Sequence, residues 1–366
     1  MRATLLIASS LAGLYFFYFA YMGVLFVYLP KILVQRGFST LDVGILYALF
    51  SLMRFLFPFI LRGGIKLDSR LFIGSLAGFF LSVAFLFFSI KSFILLVAAY
   101  LLMGLFTSAI PPFSDTVALE RLGAEHYGKV RLFGSLGFVY TVWFLSEDFL
   151  RWDFVGIYTL AIAALSAFFG FGVARAHQCK HHKSASSGAF VLLRRYFWLW
   201  LSILLFQMSF GGFYNFFTVY GMDAGFSAAQ MGYFWIFGVV CEVVMLLVQA
   251  RILRRFSLLW LVQVSILASA IRWGIYALAP AEESWWYFAQ GIHALSFALY
   301  HTALISYLFA LSAQKSLLQQ LYMGVGYGIG AILGAILAGI FYGKGLFLLM
   351  GFLALLSFGA LFLHVR

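Results

Sequence analysis

Apolar runs of about 20 residues follow one another along nearly the whole chain of 366 residues, with only brief polar interruptions. A helix of that length is what crossing the hydrocarbon core of a bilayer requires. Only 10% of the residues are charged, whereas an ordinary soluble domain has about 25%. The sequence therefore predicts an all-α integral membrane protein that lies in a lipid bilayer and has no separate soluble domain.

Charged residues, glycines and prolines divide the chain into twelve predicted helices. Six lie near residues 4–29, 41–61, 70–90, 92–115, 129–146 and 153–173, and six near 195–220, 228–250, 257–278, 282–308, 318–340 and 345–364. The longest polar stretch separates the two sets. We therefore predict an N-terminal six-helix bundle over residues 1–173, a cytoplasmic linker loop over 174–194 and a C-terminal six-helix bundle over 195–366.

Lysine and arginine are concentrated in alternate loops, as in the basic stretch from Lys180 to Arg195. Cytoplasmic loops of membrane proteins carry an excess of these residues. The loops on the other side contain more acids, such as Glu147 and Asp148. We therefore expect a multi-pass protein of the cell inner membrane with both termini cytoplasmic, and we interpret the net charge of +12 as topology rather than as a nucleic-acid surface.

Ionisable residues within the predicted spans are the main candidates for function. Such groups cost several kcal/mol in a bilayer and normally face a cavity or a partner. They are Arg54 in the second span, Asp115 at the end of the fourth, Arg131 at the start of the fifth, Glu242 in the eighth, Arg272 in the ninth, and His293 and His301 in the tenth. Three arginines against two carboxylates leave an excess of positive charge, which an anionic ligand would balance.

Structural roles remain open for each of these residues. Asp115 and Arg131 lie near helix ends, where long side chains reach the interface. Glu242 and Arg272 could neutralise each other without any further role, and a histidine in a span could serve packing alone. Arg54 also has a structural interpretation.

No nucleotide-binding, serine-hydrolase or zinc-protease motif is present in the sequence. We therefore expect neither an enzyme nor a cofactor. The cluster of His177, Cys179, His181 and His182 has donor types that suit zinc or nickel. We favour a solvated loop, because nothing nearby would fix the coordination geometry.

Two sets of six helices joined by a basic loop resemble the layout of major facilitator transporters. The segment YGKVRLFGSLGF, residues 127–138, resembles the fifth-helix signature of the phenylpropionate permease family within that superfamily, which is related to lactose permease. PPFSD ending at Asp115, GVVCEVV around Glu242, IRWGI around Arg272 and the segment through His293 resemble its fourth, eighth, ninth and tenth helices in the same order. Arg54 matches an arginine of its second helix.

The resemblance to lactose permease implies roles for individual residues. Arg131 falls at its ligand-binding arginine, Phe138 at a ring that stacks on the ligand, and Asp115 near an essential acid. Glu242, Arg272 and His293 fall at its proton-coupling residues. Ser296 replaces a carboxylate that carries the proton in that protein, which leaves Glu242 as the first candidate and Asp115 or His293 as the others.

These features predict a secondary transporter driven by the proton gradient. The expected substrate is a small carboxylate of the phenylpropionate kind, bound by Arg131, Asp115, Phe138, Arg54, Tyr214 and Asn215, with Glu242, Arg272 and His293 coupling transport to protons. A sugar or a nucleoside is the alternative substrate, and a structural or lipid-handling membrane protein is the alternative class. We expect a monomer whose partners are the solute, protons and the bilayer.

Overall fold

The structure is a computed structural model that describes residues 2–62, 66–176, 188–312 and 314–365. Every regular element within these ranges is helical, which confirms the predicted all-α architecture. The chain divides into two compact units, Met1–His182 and Lys183–Arg366. The His–Cys cluster of the predicted linker lies outside the described residues, whereas residues 189–195 of that linker form a short helix.

Within its described residues, the first unit contains eight α-helical segments and one π-helical segment. They are α1 (Arg2–Gly23), the π segment Val24–Tyr28, α2 (Leu29–Gln35), α3 (Thr40–Arg62), α4 (Ser69–Ser89), α5 (Phe93–Thr107), α6 (Ile110–Leu122), α7 (Ala124–Phe144) and α8 (Trp152–Ala176). Pairs of short segments, such as α5 and α6, form single bent spans.

In the part of the second unit that the structure describes, there are ten α-helical and two π-helical segments. They are α9 (Ala189–Arg195), α10 (Phe197–Met208), α11 (Gly211–Asp223), α12 (Ala228–Arg255), α13 (Leu258–Leu278), α14 (Glu283–His293), the π segment Ala294–Leu299, α15 (Tyr300–Leu311), α16 (Lys315–Tyr322), the π segment Met323–Gly330, α17 (Ala331–Ile340) and α18 (Leu346–Val365). Consecutive segments again combine into longer spans, so α14 and α15 belong to one of 29 residues.

Eleven segments of the described chain are long and apolar enough to cross a membrane. Helix α7, the fifth of the twelve predicted spans, is not among them. Its 21 residues suffice in length, but Lys129 and Arg131 make it more polar than the others. It nevertheless packs closely along α1 and against α6 within the first unit, and Arg131 is partly buried there whereas Lys129 is exposed.

The predicted end of the fourth span, at residue 115, is wrong. Asp115 lies in the second turn of α6, which continues to Leu122 and ends at Gly123, where φ is +75°. Arg131 likewise lies about two turns inside α7, not at its start. The charges at residues 120–129 indicate a surface, but a helix can extend beyond the hydrocarbon core, and the break occurs only where glycine adopts a left-handed conformation.

Glycines allow close contact between helices in each unit. A Cβ atom on Gly137 would lie 2.0 Å from the carbonyl oxygen of Phe16, so only glycine permits the observed approach of α7 to α1. In the second unit, a Cβ atom on Gly211 would lie 2.1 Å from the carbonyl oxygen of Gly334. Small residues serve this purpose in membrane helices, where van der Waals packing drives association.

Hydroxyl groups of neighbouring residues contact backbone carbonyls in two of the described π segments. Wider turns disturb the backbone hydrogen-bond ladder, and carbonyl groups inside a bilayer need partners within the protein. The hydroxyl of Tyr47 on α3 donates to the carbonyl of Leu25. The hydroxyl of Thr302 donates to the carbonyl of Ala298 at 2.9 Å. Side chains thus compensate for the irregular backbone in both units.

Candidate functional site

Asp115 and Arg131 lie together in the first unit. The hydroxyl of Tyr15 donates to Asp115 Oδ1 at 2.5 Å, and Arg131 Nε lies 3.9 Å from the same oxygen. The guanidinium stacks over the ring of Phe19 at 4.2 Å and over that of Tyr15 at 5.1 Å. About a third of each side chain is exposed, 34% for Arg131 and 32% for Asp115. The pair is therefore oriented by aromatic rings and still accessible.

Three helices contribute to this arrangement, and α7 makes room for it. Tyr15 and Phe19 are four residues apart on α1 and so share one face of that helix. A Cβ atom on Gly134 would lie 2.9 Å from the Phe19 ring and 3.0 Å from Arg131 Nη1. Glycine at this position therefore leaves space for the arginine to lie between α7 and the rings of α1.

Two other predicted residues of the first unit lie apart from this pair. Phe138 is seven residues beyond Arg131 on α7, about two turns along the same face, and is half-buried. Arg54 is exposed on α3, where its guanidinium lies over Phe50 at 5.7 Å. Among the ion pairs of the described residues, none joins Arg54 to Asp115.

The sequence analysis missed Tyr15, and two other tyrosines of α1, Tyr18 and Tyr21, make different contacts. The hydroxyl of Tyr18 lies 3.5 Å from the carbonyl of Thr107, and that of Tyr21 contacts the sulfur of Met103. Both are turned into the first unit. The spacing of aromatic residues along α1 does not reveal which of them reaches Asp115, because that depends on how the neighbouring helix is rotated.

Glu242, Arg272 and His293 lie together in the second unit, on the consecutive helices α12, α13 and α14. Arg272 Nη1 lies 2.9 Å from His293 Nδ1, and His293 Nε2 lies 3.8 Å from Glu242 Oε2. The imidazole ring therefore stands between the guanidinium and the carboxylate. A fourth residue completes the cluster, since Arg272 Nη2 donates to Gln290 Oε1 at 2.8 Å.

The contact between Arg272 and His293 fixes the protonation of the imidazole. Arginine has only donors and keeps its proton, so Nδ1 of His293 must accept. The proton of the neutral ring then lies on Nε2 and faces the carboxylate of Glu242. A second proton on His293 would place two donors against each other, so in this arrangement Glu242 is the better proton carrier.

Aromatic rings enclose Arg272, which has no exposed surface. Its guanidinium lies over Phe213 at 4.1 Å and over Trp273 at 4.7 Å. Such cation–π contacts partly offset the loss of hydration. Arg272 is thus held firmly, whereas the Glu242 side chain is 25% exposed and has more freedom to move.

The remaining predicted residues of the second unit make other contacts. Tyr214 on α11 is half-buried, and its ring lies 5.7 Å from that of Phe210 at an angle of 31°. Asn215 is buried, and its amide donates to the carbonyl of Gly211 at 2.8 Å. His301 lies farther along the tenth predicted span, 3.1 Å from the hydroxyl of Tyr322.

Gln290 was missed because sequence reasoning searched for ionisable groups. A signal was present in the sequence, since Gln290 is an uncharged polar residue in an apolar span, three positions before His293. Residues at that spacing share a helix face.

No group of three or more His, Cys, Asp or Glu side chains that could hold a metal occurs among the described residues.

Two units of membrane-length helices, each with charged side chains placed between its helices, are the features of a multi-pass membrane transporter. A sequence model of the MFS_1 like family matches residues 8–352, so the chain belongs to this family of the major facilitator superfamily. The predicted family and fold are thereby confirmed.

A relative from Escherichia coli (strain K12), named "Probable 3-phenylpropionic acid transporter", is 28% identical, and the match covers 96% of each chain. Among solved structures, the nucleoside transporter NupG aligns with a TM-score of 0.79 at 15% identity, over 100% of this chain and 98% of that one. A bacterial homologue of the iron transporter ferroportin, in an inward-facing state, aligns with a TM-score of 0.77 at 15% identity, over 99% and 98% of the two chains. At these identities the solved structures support the fold alone.

Proposed function

We propose that this transporter carries a small carboxylate of the phenylpropionate kind together with a proton. The observation that carries the proposal is the order Arg272, His293, Glu242, in which a fixed cation and a neutral imidazole face a single carboxylate. The relative named for 3-phenylpropionic acid supports the substrate class. The proton gradient is the energy source, and no cofactor takes part.

Glu242 is the residue that exchanges the proton in this proposal. When it is ionised, its charge is balanced by Arg272 through the polarised imidazole of His293. Protonation removes one negative charge, and a bound carboxylate restores it. Transport of one proton with one carboxylate therefore keeps the charge within the membrane constant, which avoids the cost of an uncompensated ion.

Arg131 binds the carboxylate in this proposal, with Asp115, Phe138, Arg54, Tyr214 and Asn215 as the further substrate-binding candidates. A guanidinium offers two parallel donors to a carboxylate. The rings of Phe19 and Tyr15 hold the plane of Arg131, and its exposed third leaves space for a ligand. An aromatic acid would add ring contacts to this charge pairing.

A nucleoside or a sugar is the second candidate substrate. It is favoured by the Arg131–Asp115 pair, which could bind two hydroxyl groups; NupG, which shares the fold at 15% identity, is a nucleoside transporter. Stabilisation of the purified protein against heat by 3-phenylpropionate, uridine or a disaccharide distinguishes the two candidates, because a bound ligand raises the unfolding temperature.

We further propose that the protein is a monomer of the cell inner membrane with both termini cytoplasmic. The excess of lysine and arginine in alternate loops supports this orientation. Labelling of single cysteines introduced near Arg2 and Lys344 with an impermeant thiol reagent tests it. Reagent applied to intact cells should reach the position near Lys344 and not the one near Arg2.

Glu242→Gln tests the coupling. Glutamine copies a protonated glutamate but cannot release a proton, so accumulation driven by a pH gradient in proteoliposomes should be lost while counterflow exchange of 3-phenylpropionate continues. Glu282→Gln is a matched control, since Glu282 is exposed at the start of α14 and its side chain makes no capping hydrogen bond. Accumulation by Glu242→Gln at the level of the control would refute the role of Glu242.

A further inference from the structure

Gln290 is a buried amide within the coupling cluster. It has no exposed surface, and its Oε1 accepts from Arg272 Nη2 at 2.8 Å. Gln290 and His293 are three residues apart on α14 and share one face of that helix. They therefore accept hydrogen bonds from the two Nη groups of Arg272 on the same side of the guanidinium. The guanidinium is thereby held by two neutral acceptors, and the imidazole ring lies between it and Glu242.

Helix α12 provides the space in which this amide lies. A Cβ atom on Gly238 would be 2.9 Å from Gln290 Oε1 and 3.5 Å from His293 Cδ2. Gly238 is four residues before Glu242 and so lies one turn away on the same helix face. The helix that carries the carboxylate thus also carries the glycine against which the amide packs.

We propose that Gln290, packed against Gly238, is a positioning residue that holds Arg272 on His293, so that the imidazole ring stays between Arg272 and Glu242 and Glu242 can take up a proton. The proposal rests on the proposed function for its effect on transport. Its geometric part, the orientation of Arg272 and the tautomer of His293, is independent of the substrate.

A neutral acceptor suits this position better than a carboxylate or an apolar side chain. With glutamine, the cluster contains one cation, Arg272, and one anion, Glu242. A leucine would leave Arg272 Nη2 without its acceptor in a buried site, which is costly. The guanidinium would then gain by turning toward the Glu242 carboxylate, and this contact would favour the ionised form of that carboxylate.

The groups that face Glu242 come from three neighbouring helices. His293 belongs to α14 and Arg272, behind it, to α13. Tyr214 on α11 is close enough to interact electrostatically with Glu242. Of these groups, only Arg272 carries a permanent charge, so a change in its position should dominate any change in the pH dependence of transport.

Two substitutions test the proposal by different routes. Gln290→Leu removes the acceptor, whereas Gly238→Ala retains every functional group and displaces the amide by the added methyl group. Gly274→Ala is the matched control, because it adds the same methyl group on α13, two residues from Arg272, where nothing lies within 4 Å. All three are reconstituted in proteoliposomes, and uptake of 3-phenylpropionate is measured as a function of external pH.

The midpoint of the pH profile should move to more acid pH by about one unit or more in Gln290→Leu, because a direct arginine contact shifts the titration of a carboxylate by about 1 to 3 units. Gly238→Ala should move it in the same direction, and Gly274→Ala should leave it unchanged. A profile of Gln290→Leu that superimposes on that of the unmodified protein would overturn the proposal. If Gln290→Leu does not fold, an unshifted profile for Gly238→Ala has the same meaning.

Nitrogen-15 NMR of labelled histidine separates this proposal from the proposed function. The signal of His293 is assigned by its absence from a His293→Asn sample. We expect the neutral form with its proton on Nε2 in the unmodified protein, and loss of that preference in Gln290→Leu. An unchanged tautomer in Gln290→Leu contradicts the positioning role, whereas absence of proton-driven uptake by the unmodified protein contradicts only the proposed symport.

Discussion

Arg131→Lys distinguishes a ligand-binding arginine from an interfacial one while retaining the positive charge. The ion pair between Arg131 and Asp115 is weak, because Arg131 Nε lies 3.9 Å from Asp115 Oδ1 and both side chains are about one-third exposed. Such partly exposed pairs contribute about 0 to 1 kcal/mol to stability. The variant should therefore fold, and a large effect on binding would have to arise from contacts with the ligand.

The expected loss follows from the geometry of the two cations. A guanidinium makes two charge-assisted hydrogen bonds to a carboxylate, and an ammonium on a flexible stem makes one well-directed bond. Loss of one such bond costs about 1.5 to 3 kcal/mol, which corresponds to about a 10- to 150-fold rise in Kd. Lysine would also stack less well over Phe19 and Tyr15, which adds to the loss.

The assay is equilibrium binding of radiolabelled 3-phenylpropionate to purified protein, with thermal unfolding measured on the same samples. Arg175→Lys is the matched control, since Arg175 also stacks on a ring, that of Phe171 at 4.4 Å, on another helix of the first unit. If Arg131→Lys binds with the affinity of this control, Arg131 is an interfacial anchor and the proposed carboxylate contact is wrong.

Two further predictions concern stability. Gly137→Ala should destabilise the first unit by about 1 to 3 kcal/mol or more, because the new methyl group would lie 2.0 Å from the backbone of Phe16. Gly128→Ala is the control and should not destabilise it, because nothing lies within 4 Å of a Cβ atom there. Equal chemical-denaturation midpoints for the two variants would contradict the close approach of α7 to α1. Tyr342, in the connection before α18, donates to Asp223 at 2.6 Å, and burial together with this hydrogen bond raises the pKa of its phenol. Folding therefore favours the neutral phenol, whose contribution to stability is complete below about pH 10 and declines above it. Tyr342→Phe should cost about 1 kcal/mol of stability at neutral pH and should remove this loss of stability at alkaline pH, as measured by thermal unfolding.

The positions of most helices could be predicted from the sequence, because a membrane span depends on local hydrophobicity. The ends were harder to predict. Asp115 was assigned to a helix end because charged residues follow it, but only the left-handed conformation of Gly123 ends α6. Helix α7 shows a second limit of prediction from local hydrophobicity. Arg131 lowers the hydropathy of this helix, yet neighbouring helices of the first unit provide contacts for the polar side chain.

The grouping of Glu242, Arg272 and His293 could be expected only from the family resemblance, because the three residues lie on different helices. Which atom faces which required the structure. The π segment Ala294–Leu299 begins directly after His293, and sequence periodicity contains no sign of it. Since π turns alter the direction of the following side chains, the spacing of His293 and His301 does not reveal that His301 pairs with Tyr322 instead of joining the cluster.

The two clusters of charged residues differ in a way that suits different tasks. Arg131 and Asp115 are each about one-third exposed, so a solute can compete for the arginine at low cost. Arg272 is fully buried and held by His293 and Gln290, so it is poorly suited to releasing its partners and exchanging them for a ligand. A fixed cation nevertheless suits a proton site. If Arg272 stays in place, movement of the Glu242 carboxylate alone changes the distance between the two charges, and this distance determines whether the carboxylate holds a proton. The greater exposure of Glu242 and the rigidity of Arg272 therefore favour substrate binding in the first unit and proton exchange in the second.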